Sequence, residues 1–590
     1  MTEPLHRARR TAANLALTAR TVSDHVLDDP VVLALQVSRK LPPGPRARLG
    51  RALSSAPGGR RAVPHGVGLA MLGRDEDLTS AFADPAAATP RERVRRAEVL
   101  LAAGHDDAAG SLLDDLPAGV PGAAAARARL LWHRGAMTEA VAALRPTGRQ
   151  GRLRARLDSE RRALLGAPVR LTRADRSLAR AYTPRPGSVL FVLTNSLPHT
   201  GSGYAQRSHS LAVAVRDTGR DVAAVTRLGW PVQTGRLTAA DADIVDGIVY
   251  HRLLPARLAP GFDARLDQHA AALLRLVLRE RPAVLHTTTH WVNAAVTAAV
   301  AEAVGIPWVY EVRGQLADTW ASTRGPQALD SERYAAFRAR EADAVRRADG
   351  VVTLAETMRA RIVEDGVDPD EVVLSPNAVG GAFLAEPGDR VDARRALGLD
   401  PAAEYFGTVS SVVPYEGIED LARVLALLAE ERPRLRLLVA GDGTALPAVA
   451  RLSERLGVRD RVDLLGRVDR SIAPVCHQAL DIFCVPRQDT SVTRAVTPMK
   501  PLEAMATARP VVLSRLPALQ EIVADGRTGL TVPAESPSAW ASAVHRLLSD
   551  PEGAAAMGRR ARTWVLAERT WAANARRYDE LYTGLGAPGP

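Results

Sequence analysis

Short apolar runs alternate with helix-like segments from residue 186 onward, and this alternation constrains the fold more than any other feature of the sequence. The runs have the length of strands and are rich in Val, Ile and Leu, as in SVLFVLT from Ser188. Such a pattern is typical of right-handed βαβ units and a parallel sheet. A second series begins near Tyr405. The sequence therefore predicts two doubly wound α/β units in tandem, with a ligand cleft between the carboxyl ends of their strands.

Residues 1–185 have a different pattern, in which helix-like segments are separated by polar breaks. Two stretches, from Arg95 and Arg127, share an apolar helical pattern, then a glycine, then an alanine five residues later. The glycines, Gly104 and Gly135, are 31 residues apart. This spacing is close to the period of about 34 in tetratricopeptide hairpins. The pattern predicts either a short array of helical hairpins or a generic helical bundle.

The positive charge of the chain is concentrated in this first part. The 590 residues carry a formal net charge of +11, and residues 1–185 hold 31 of the 77 basic and 18 of the 66 acidic side chains. The remainder is close to neutral. The imbalance favours an anionic membrane surface or an acidic protein as a partner of the helical region. A nucleic-acid partner is not expected, because no platform of aromatic and basic residues accompanies the charge.

Composition excludes several other classes. At 46% apolar and 24% charged residues, the chain is neither fibrous nor disordered. Its two cysteines, Cys476 and Cys484, have the spacing of neither a zinc knuckle nor a redox pair, so we expect a reducing compartment. No apolar stretch is long enough to span a membrane, and the first residues lack the pattern of a secretory leader. A cytoplasmic protein is expected, held peripherally at the inner face of the membrane at most.

Polar and glycine residues follow the predicted strands of the first α/β unit. The loop HTGSGY after the first strand contains His199 and two glycines that let a ligand approach the backbone. The run VLHTTTH brings His286 and His290 to a strand end, where each is either a structural histidine or a neutral imidazole that can bond a ligand hydroxyl. YEVRG ends the next strand with Glu311 and Arg313, which are either a structural ion pair or a ligand contact.

Two segments carry the polar residues of the second unit. The first, FGTVSSVVPYEG, runs from Phe406 to Gly417. The second is CVPRQDTSVTRAVTPMKPLEAMA, in which Arg487 follows a strand and Lys500 precedes Glu503 by three residues. Lysine occurs at only one other position in the chain, residue 40. A compact ammonium suits a phosphate group.

In their order, these motifs resemble the GT4-type retaining glycosyltransferases (glycosyltransferase group 1) of the GT-B fold. The resemblance spans about 400 residues, from residue 186 on, and is strongest after Ala403. It implies that the second unit binds a nucleotide-sugar donor, whose ribose is held by Glu503. It also implies that the first glycine loop lies over the donor diphosphate and that His290, rather than His286, contacts the donor sugar. The turn SPNAVG at 375–380 matches the point where the two domains of this family meet.

The sequence departs from the family pattern at the diphosphate. The family carries Gly-Arg and Lys-Gly, two cations that neutralise the donor, where this chain has Gly407-Thr408 and Glu416-Gly417. The first glutamate of the family's paired motif is replaced by Ala495. The pattern resembles a GT4 subgroup in which the cations come from the later loop, and this implies that Arg487 and Lys500 replace them.

The resemblance thus implies a retaining glycosyltransferase acting in cell-surface polysaccharide or glycolipid synthesis, with a UDP-sugar expected before a GDP-sugar. A non-catalytic nucleotide-sugar-binding protein and an epimerase on the same fold are the alternatives. No cofactor and no metal are expected. The predicted regions are 1–185 (basic helical), 186–375 (acceptor unit), 376–567 (donor unit) and 568–590 (returning helix). The predicted site residues are His290, Arg487 and Lys500 (catalytic); Gly201, Ser202, Gly203, Gly407, Thr408, Arg487, Pro498, Lys500 and Glu503 (donor); and His199, Glu311 and Arg313 (acceptor side).

Overall fold

The computed structural model describes residues 3–38, 41–55, 62–86, 88–117 and 119–589. The described residues before Ser188 are helical and contain no strand. Their helices are α1 (Glu3–Asp28), α2 (Pro30–Ser38), α3 (Pro43–Ser54), α4 (Ala62–Leu72), α5 (Asp75–Phe82), α6 (Pro90–Ala103), α7 (Asp106–Leu113), α8 (Ala123–Arg134), α9 (Met137–Ala142), α10 (Gly148–Leu164) and α11 (Arg173–Ala179).

Helical hairpins occupy the two stretches that share the predicted repeat. Helices α6 and α7 pack against each other, as do α8 and α9. Gly104 and Gly135 end the first helix of each pair with φ of 95° and 88°, a left-handed conformation that glycine adopts without steric cost. Thr89 caps the amino terminus of α6 by accepting the Glu92 N–H. The glycine spacing therefore marks the turns of consecutive hairpins.

The first sheet has eight strands within the described residues, in the order β3-β4-β2-β1-β5-β6-β7-β8. Only edge strand β3 is antiparallel to its neighbour. Buried Val, Leu and Phe side chains line both faces of the central strand, which explains its continuous apolar sequence. The strands are β1 (Ser188–Leu193), β2 (Asp221–Thr226), β3 (Ala242–Val245), β4 (Ile248–Arg252), β5 (Val284–Thr288), β6 (Trp308–Val312), β7 (Gly350–Thr353) and β8 (Val372–Leu374).

The second sheet has six parallel strands in the described chain, in the order β11-β10-β9-β12-β13-β14. Its core lies on both faces, because separate apolar clusters pack above and below the strands. The strands are β9 (Glu404–Val409), β10 (Leu435–Ala440), β11 (Val462–Gly466), β12 (Ile482–Val485), β13 (Val511–Ser514) and β14 (Leu530–Val532). The predicted pair of doubly wound α/β units is confirmed.

Helices connect the strands of both sheets and cover their faces. Those of the first sheet are α12 (Gly203–Arg216), α13 (Phe262–Glu280), α14 (Trp291–Val304), α15 (Leu316–Ala321), α16 (Glu332–Arg347) and α17 (Glu356–Glu364). Those that follow are α18 (Arg390–Ala396), α19 (Ile418–Leu428), α20 (Leu446–Arg455), α21 (Ala473–Ala479), α22 (Ser491–Ala495), α23 (Lys500–Ala506), α24 (Pro517–Gln520), α25 (Pro537–Ser549), α26 (Pro551–Glu568) and α27 (Trp571–Gly584).

Two chain segments cross between the α/β units and are joined to each other. Val379 N–H donates to the Arg569 carbonyl at 2.8 Å, and Trp571 N–H donates to the Val379 carbonyl at 3.2 Å. Helix α27 then packs against α12 of the first unit, and Tyr578 and Tyr582 are buried there. The last helix therefore returns to the first unit and connects the two crossings to its core.

The amino-terminal helices rest on the outside of the first α/β unit. On α1, the buried Asn14 amide donates to the carbonyls of Leu237 and Ala239, both at 2.9 Å. On α10, the Ser159 hydroxyl donates to Asp263 of α13 at 2.6 Å. These contacts attach the helical region to the unit that the sequence predicts to bind the acceptor.

Candidate active site

Loops at the carboxyl ends of the two sheets meet across a cleft. The segment after β12 reaches the crossing segment that follows β8, where the Asn377 amide donates to the Thr497 carbonyl at 2.8 Å. An ideal Cβ built on Gly203 would lie 3.7 Å from Met499 Cε, so these two loops are in contact. The segment between β12 and α23 thus faces the glycine loop that follows β1. The sequence motifs had marked both of these segments as candidate ligand-binding loops.

The glycine loop ends in an exposed helix start. Ser202 caps α12 by accepting the Ala205 N–H at 3.3 Å. Gly201, Ser202 and Gly203 are all exposed. The amino end of a helix of this length attracts anions through its free N–H groups and its dipole. The family resemblance predicts that the donor diphosphate binds at these residues.

Arg487 donates hydrogen bonds to groups of its own unit. Its Nη2 and Nε donate to the Glu416 carboxylate at 2.7 and 3.2 Å, and Nη1 donates to the Val496 carbonyl at 2.8 Å. Both side chains of the pair are about nine-tenths buried. Glu416 occupies the place where the family pattern has a lysine. The structure thus pairs the acidic replacement with a cation from 71 residues further along the chain.

Lys500 and Glu503 form a second charged pair next to a buried histidine. The Lys500 ammonium lies 2.8 Å from Glu503 Oε2, and His477 Nε2 lies 3.5 Å from the same oxygen. Burial alone would raise the pKa of Glu503, but Lys500 and His477 lower it to about 2. The carboxylate is therefore ionised at neutral pH. The ammonium remains partly exposed toward the cleft.

Gly407 and Thr408 do not line the cleft. Both are buried inside β9, where Gly407 pairs with Leu438. A Cβ on Gly407 would lie 1.9 Å from the Leu438 carbonyl oxygen, so glycine is required there for the close approach of β10. Their predicted role at the donor stays a prediction. The strand ends at Val409, and the exposed Ser411 follows shortly after it.

His290 follows β5 and caps α14. Its Nδ1 accepts the Val292 N–H at 3.3 Å, and its ring stacks on Phe337. Burial, with smaller contributions from the charges of Arg227 and Arg333, lowers the pKa of His290 to about 4. The imidazole is therefore neutral at neutral pH. His286 is fully buried, and its Nδ1 lies 2.5 Å from the Tyr582 hydroxyl.

Two other predicted residues are half-buried. His199 Nε2 lies 3.1 Å from Asp243, and its ring meets Trp230 edge to face. Burial lowers the pKa of His199, although Asp243 opposes this shift. Pro498 lies between Thr497 and Met499, the residues that contact the first unit.

Glu311 is the centre of a buried ionic network. Arg207 Nη2 and Arg313 Nη2 donate to its two oxygens at 2.6 and 2.7 Å. Although burial raises the pKa of Glu311, the two guanidinium groups hold it well below its usual range. Arg207 also donates to the carbonyls of Ser375 and Pro376 at the crossing segment. Of the two interpretations of Glu311 and Arg313, the contacts are those of a structural ion pair, since the carboxylate has no exposed surface.

Within the described residues, no group of three or more His, Cys, Asp or Glu side chains is arranged to hold a metal ion. In the same part of the chain, no helix combines the length and apolarity needed to cross a membrane.

Two family models match the two α/β units. The model described as "Glycosyl transferase 4-like domain" matches residues 202–378, and the model described as "Glycosyl transferases group 1" matches residues 389–564. The chain belongs to the group 1 glycosyltransferases. It is an enzyme that transfers a sugar from a nucleotide-sugar donor, as the motifs implied.

Relatives and solved structures agree with this assignment. The D-inositol 3-phosphate glycosyltransferase of Segniliparus rotundus is 26% identical over 408 residues, which are 64% of this chain and 88% of that one. A GDP-mannose-dependent mannosyltransferase of Mycolicibacterium smegmatis is 32% identical over 36% of this chain and 56% of its own length. Sucrose-phosphate synthase from Thermosynechococcus elongatus has a TM-score of 0.55 at 22% identity, covering 68% of this chain and 99% of that one. Anabaena HepE in complex with UDP-glucose has a TM-score of 0.51 at 16% identity, covering 67% and 99%.

Sequence reasoning missed some polar groups of this glycosyltransferase. His477 contacts Glu503, and Arg207 joins Glu311 to the crossing segment. No short motif marks either residue, because their partners are distant in sequence. The sequence did offer a signal for Arg207, because it lies four residues after Gly203, where α12 begins, and so belongs to the first turns of the helix that follows the glycine loop. The arrangement as a whole places Arg487 and Lys500 on the second unit and the exposed start of α12 on the first unit.

Proposed function

We propose that this glycosyltransferase binds a UDP-sugar between the glycine loop and the segment 487–503, and transfers the sugar with retention of anomeric configuration. The observation that carries the proposal is the contact between these two segments across the cleft, through Gly203 and Met499. On the donor side lie two cations, Arg487 and Lys500, each held by a carboxylate. On the other side lie the free N–H groups of α12.

In the proposed reaction, the bond between the sugar's anomeric carbon and the diphosphate oxygen breaks while the acceptor hydroxyl attacks from the same face. The acceptor's proton passes to the leaving diphosphate oxygen. Negative charge grows on the diphosphate during this step, so preorganised cations and N–H groups stabilise the transition state more than the ground state. Arg487 and Lys500 supply the positive charge. The ionised Glu503 accepts hydrogen bonds from the ribose hydroxyls, and neutral His290 from the β5 end contacts the sugar.

Donor choice is testable by ligand-induced stabilisation. We expect UDP-sugars to raise the thermal midpoint of the protein more than GDP-, ADP- or dTDP-sugars, because stabilisation follows RT ln(1 + [L]/Kd). Slow donor hydrolysis without acceptor, measured as released UDP, would accompany this shift. A larger shift with GDP-mannose would overturn the UDP assignment, and conversion of the donor into its epimer would overturn the transferase chemistry.

The proposal also includes an acceptor presented at an anionic membrane, in polysaccharide or glycolipid synthesis at the inner face. One face of α1 is buried on the first unit through Asn14 and Leu17. The opposite face carries exposed apolar residues at helical spacing: Ala8, Ala12, Leu15, Ala19 and Val22. Such an apolar stripe in a region with an excess of arginine has the chemistry of a helix lying on an anionic bilayer.

Co-sedimentation of the full chain with vesicles of phosphatidylglycerol and phosphatidylcholine tests this attachment. We expect binding at low salt that Leu15→Glu and Val22→Glu together weaken strongly. Leu427→Glu, at an exposed apolar residue of α19, is the matched control and leaves binding unchanged. Equal binding of all three proteins would contradict a role for α1, and binding to neutral vesicles alone would contradict the anionic surface.

A further inference from the structure

A second cavity lies beside the two crossing segments, away from the residues of the cleft. Its volume is about 560 Å³, and none of the predicted donor or acceptor residues lines it. Its walls come from both α/β units. The lining residues are Arg359 of α17, β8 and Pro376 from the first unit, Trp564, Glu568 and Arg569 from the end of α26, and Arg577 of α27. Pockets of about 300–1,000 Å³ hold small-molecule ligands.

Three of the four charged side chains that line the cavity are positive. Arg359, Arg569 and Arg577 line it, against the single carboxylate of Glu568. Arg359 pairs with Glu356 at 2.8 Å. Among the described residues, neither Arg569 nor Arg577 forms an ion pair within 4.0 Å.

The guanidinium groups of Arg569 and Arg577 also lie near each other. The Arg569 guanidinium is stacked 5.1 Å from the Trp564 ring, and Arg577 Nη1 donates to the Asn574 amide oxygen at 2.9 Å. Burial, followed by the neighbouring charge of Arg577, lowers the pKa of Arg569. Two cations held close together in a half-buried wall favour an anion that contacts both.

The remaining walls suit a polar ring attached to that anion. Strand β8 is the edge of the first sheet and pairs only with β7, so one row of its N–H and C=O groups is free of strand partners. Trp564 provides an aromatic face. Guanidinium forks match the oxygens of a phosphate group, and a carbohydrate ring can bond to the strand edge.

We propose that this cavity binds a small phosphorylated ligand, whose phosphate contacts Arg569 and Arg577, and that the bound ligand regulates closure of the donor cleft. The regulatory part follows from the position of the walls. Arg569 belongs to a crossing segment, whereas Arg577 lies on α27, which packs on the first unit. A ligand that contacts both groups fixes the angle between the units and so changes the donor cleft.

Isothermal titration of the full chain with ribose 5-phosphate, inorganic phosphate and ribose tests the binding. We expect ribose 5-phosphate to bind and ribose not to bind. If inorganic phosphate binds as tightly as ribose 5-phosphate, the free anion is the ligand, and the proposed phosphate site is still supported. Absence of binding by both phosphate compounds would overturn the proposal.

Variants locate the site. Arg577→Gln and Arg569→Gln are each expected to weaken binding about 10-fold or more, because each removes charged hydrogen bonds to the phosphate. Arg576→Gln removes an exposed arginine one residue away and is the matched control, with unchanged affinity. Lys500→Met tests whether the ligand sits in the donor cleft instead, and here too affinity is expected to be unchanged. Loss of binding in Lys500→Met, or none in Arg569→Gln and Arg577→Gln, would overturn the assignment.

The regulatory claim has its own measurement. Ribose 5-phosphate is expected to change the donor KM or the kcat of donor hydrolysis in the wild-type protein and in Arg576→Gln, but not in Arg577→Gln. If the ligand binds without changing either constant, the cavity is a binding site without control of the cleft. Should Arg577→Gln fail to fold, Arg569→Gln replaces it, since its guanidinium is the other proposed phosphate contact and lines the same cavity.

Discussion

Replacing Lys500 by methionine tests the donor side of the site most directly. Methionine keeps most of the length of the side chain and removes only the charge. The ammonium lies 2.8 Å from Glu503, whose pKa is lowered from 4.5 to about 2. A shift of this size corresponds to about 3 kcal/mol of folded-state stability at neutral pH. Lys500 shares this effect with His477 and is 35% exposed, so solvent screening reduces its part to about 1–2 kcal/mol.

The effect on catalysis is expected to be larger than the effect on stability. If Lys500 meets the charge that develops on the leaving diphosphate, its removal lowers kcat by about 100- to 1,000-fold, the usual cost of one such donor. Lys500→Arg should retain part of the rate. Initial rates of UDP release give kcat and KM, and urea unfolding gives the stability. Arg559→Met, at an exposed arginine of α26, is the control for loss of a positive charge elsewhere.

The pH dependence provides a second measurement on the same variant. The lowered pKa of Glu503 means that its stabilising contribution is complete above pH 4.5 and is lost as the pH falls toward 2. Donor affinity of the wild-type protein should therefore be independent of Glu503 protonation between pH 5 and pH 8. In Lys500→Met, burial raises the pKa, so the affinity should begin to fall at a higher pH. A kcat within about threefold of wild type, with an unchanged pH profile, would refute the assigned role of Lys500.

Three further substitutions test how the site is held. Gly417→Ala should destabilise the second unit, because its Cβ would lie 2.0 Å from the Pro486 carbonyl oxygen, and urea unfolding measures this. Arg207→Met leaves a buried carboxylate without one of its two cations and should cost about 3–5 kcal/mol in the same assay. The double variant Glu416→Arg with Arg487→Glu exchanges the two charges and should recover most of the stability that Arg487→Glu alone loses. A double-mutant cycle measures this recovery, and additive losses of stability would contradict direct pairing.

Much of the fold was accessible from sequence because its strands are central and buried on both faces. The first strand, predicted from SVLFVLT, is β1 (Ser188–Leu193), whose six residues are all buried. Strands β7 and β8 were not predicted, since each is only three or four residues long and is flanked by charged helices. Their apolar runs are too short to differ from the buried face of a helix. The sheet supplies the partners that make them strands.

Site residues could be predicted where they lie in one contiguous motif. They could not be predicted where the contacting residues are far apart in the sequence. Lys500 and Glu503 are three residues apart in one motif, so both were identified as candidates from the sequence, although their ion pair was not predicted. The role of Gly407 was not determined by the sequence, because a glycine in a strand serves equally for ligand approach and for strand packing. The roles of Glu311 and Arg313 depended on Arg207, a side chain more than 100 residues away.

The two cations of the family pattern are absent from this chain, and a backbone contact at Gly417 positions the arginine that is proposed to replace one of them. Gly417 has a φ of 66° and no side chain, and a Cβ there would meet the Pro486 carbonyl. The glycine therefore permits β12 to end directly beside the turn that carries Glu416. Arg487, the next residue along from Pro486, is thereby brought within hydrogen-bonding distance of that carboxylate. In the proposed site, Arg487 supplies the positive charge that the family pattern has in the neighbouring loop, and Glu416 holds its guanidinium in position. Glycine at 417 is consequently as necessary to the proposed donor site as the arginine itself.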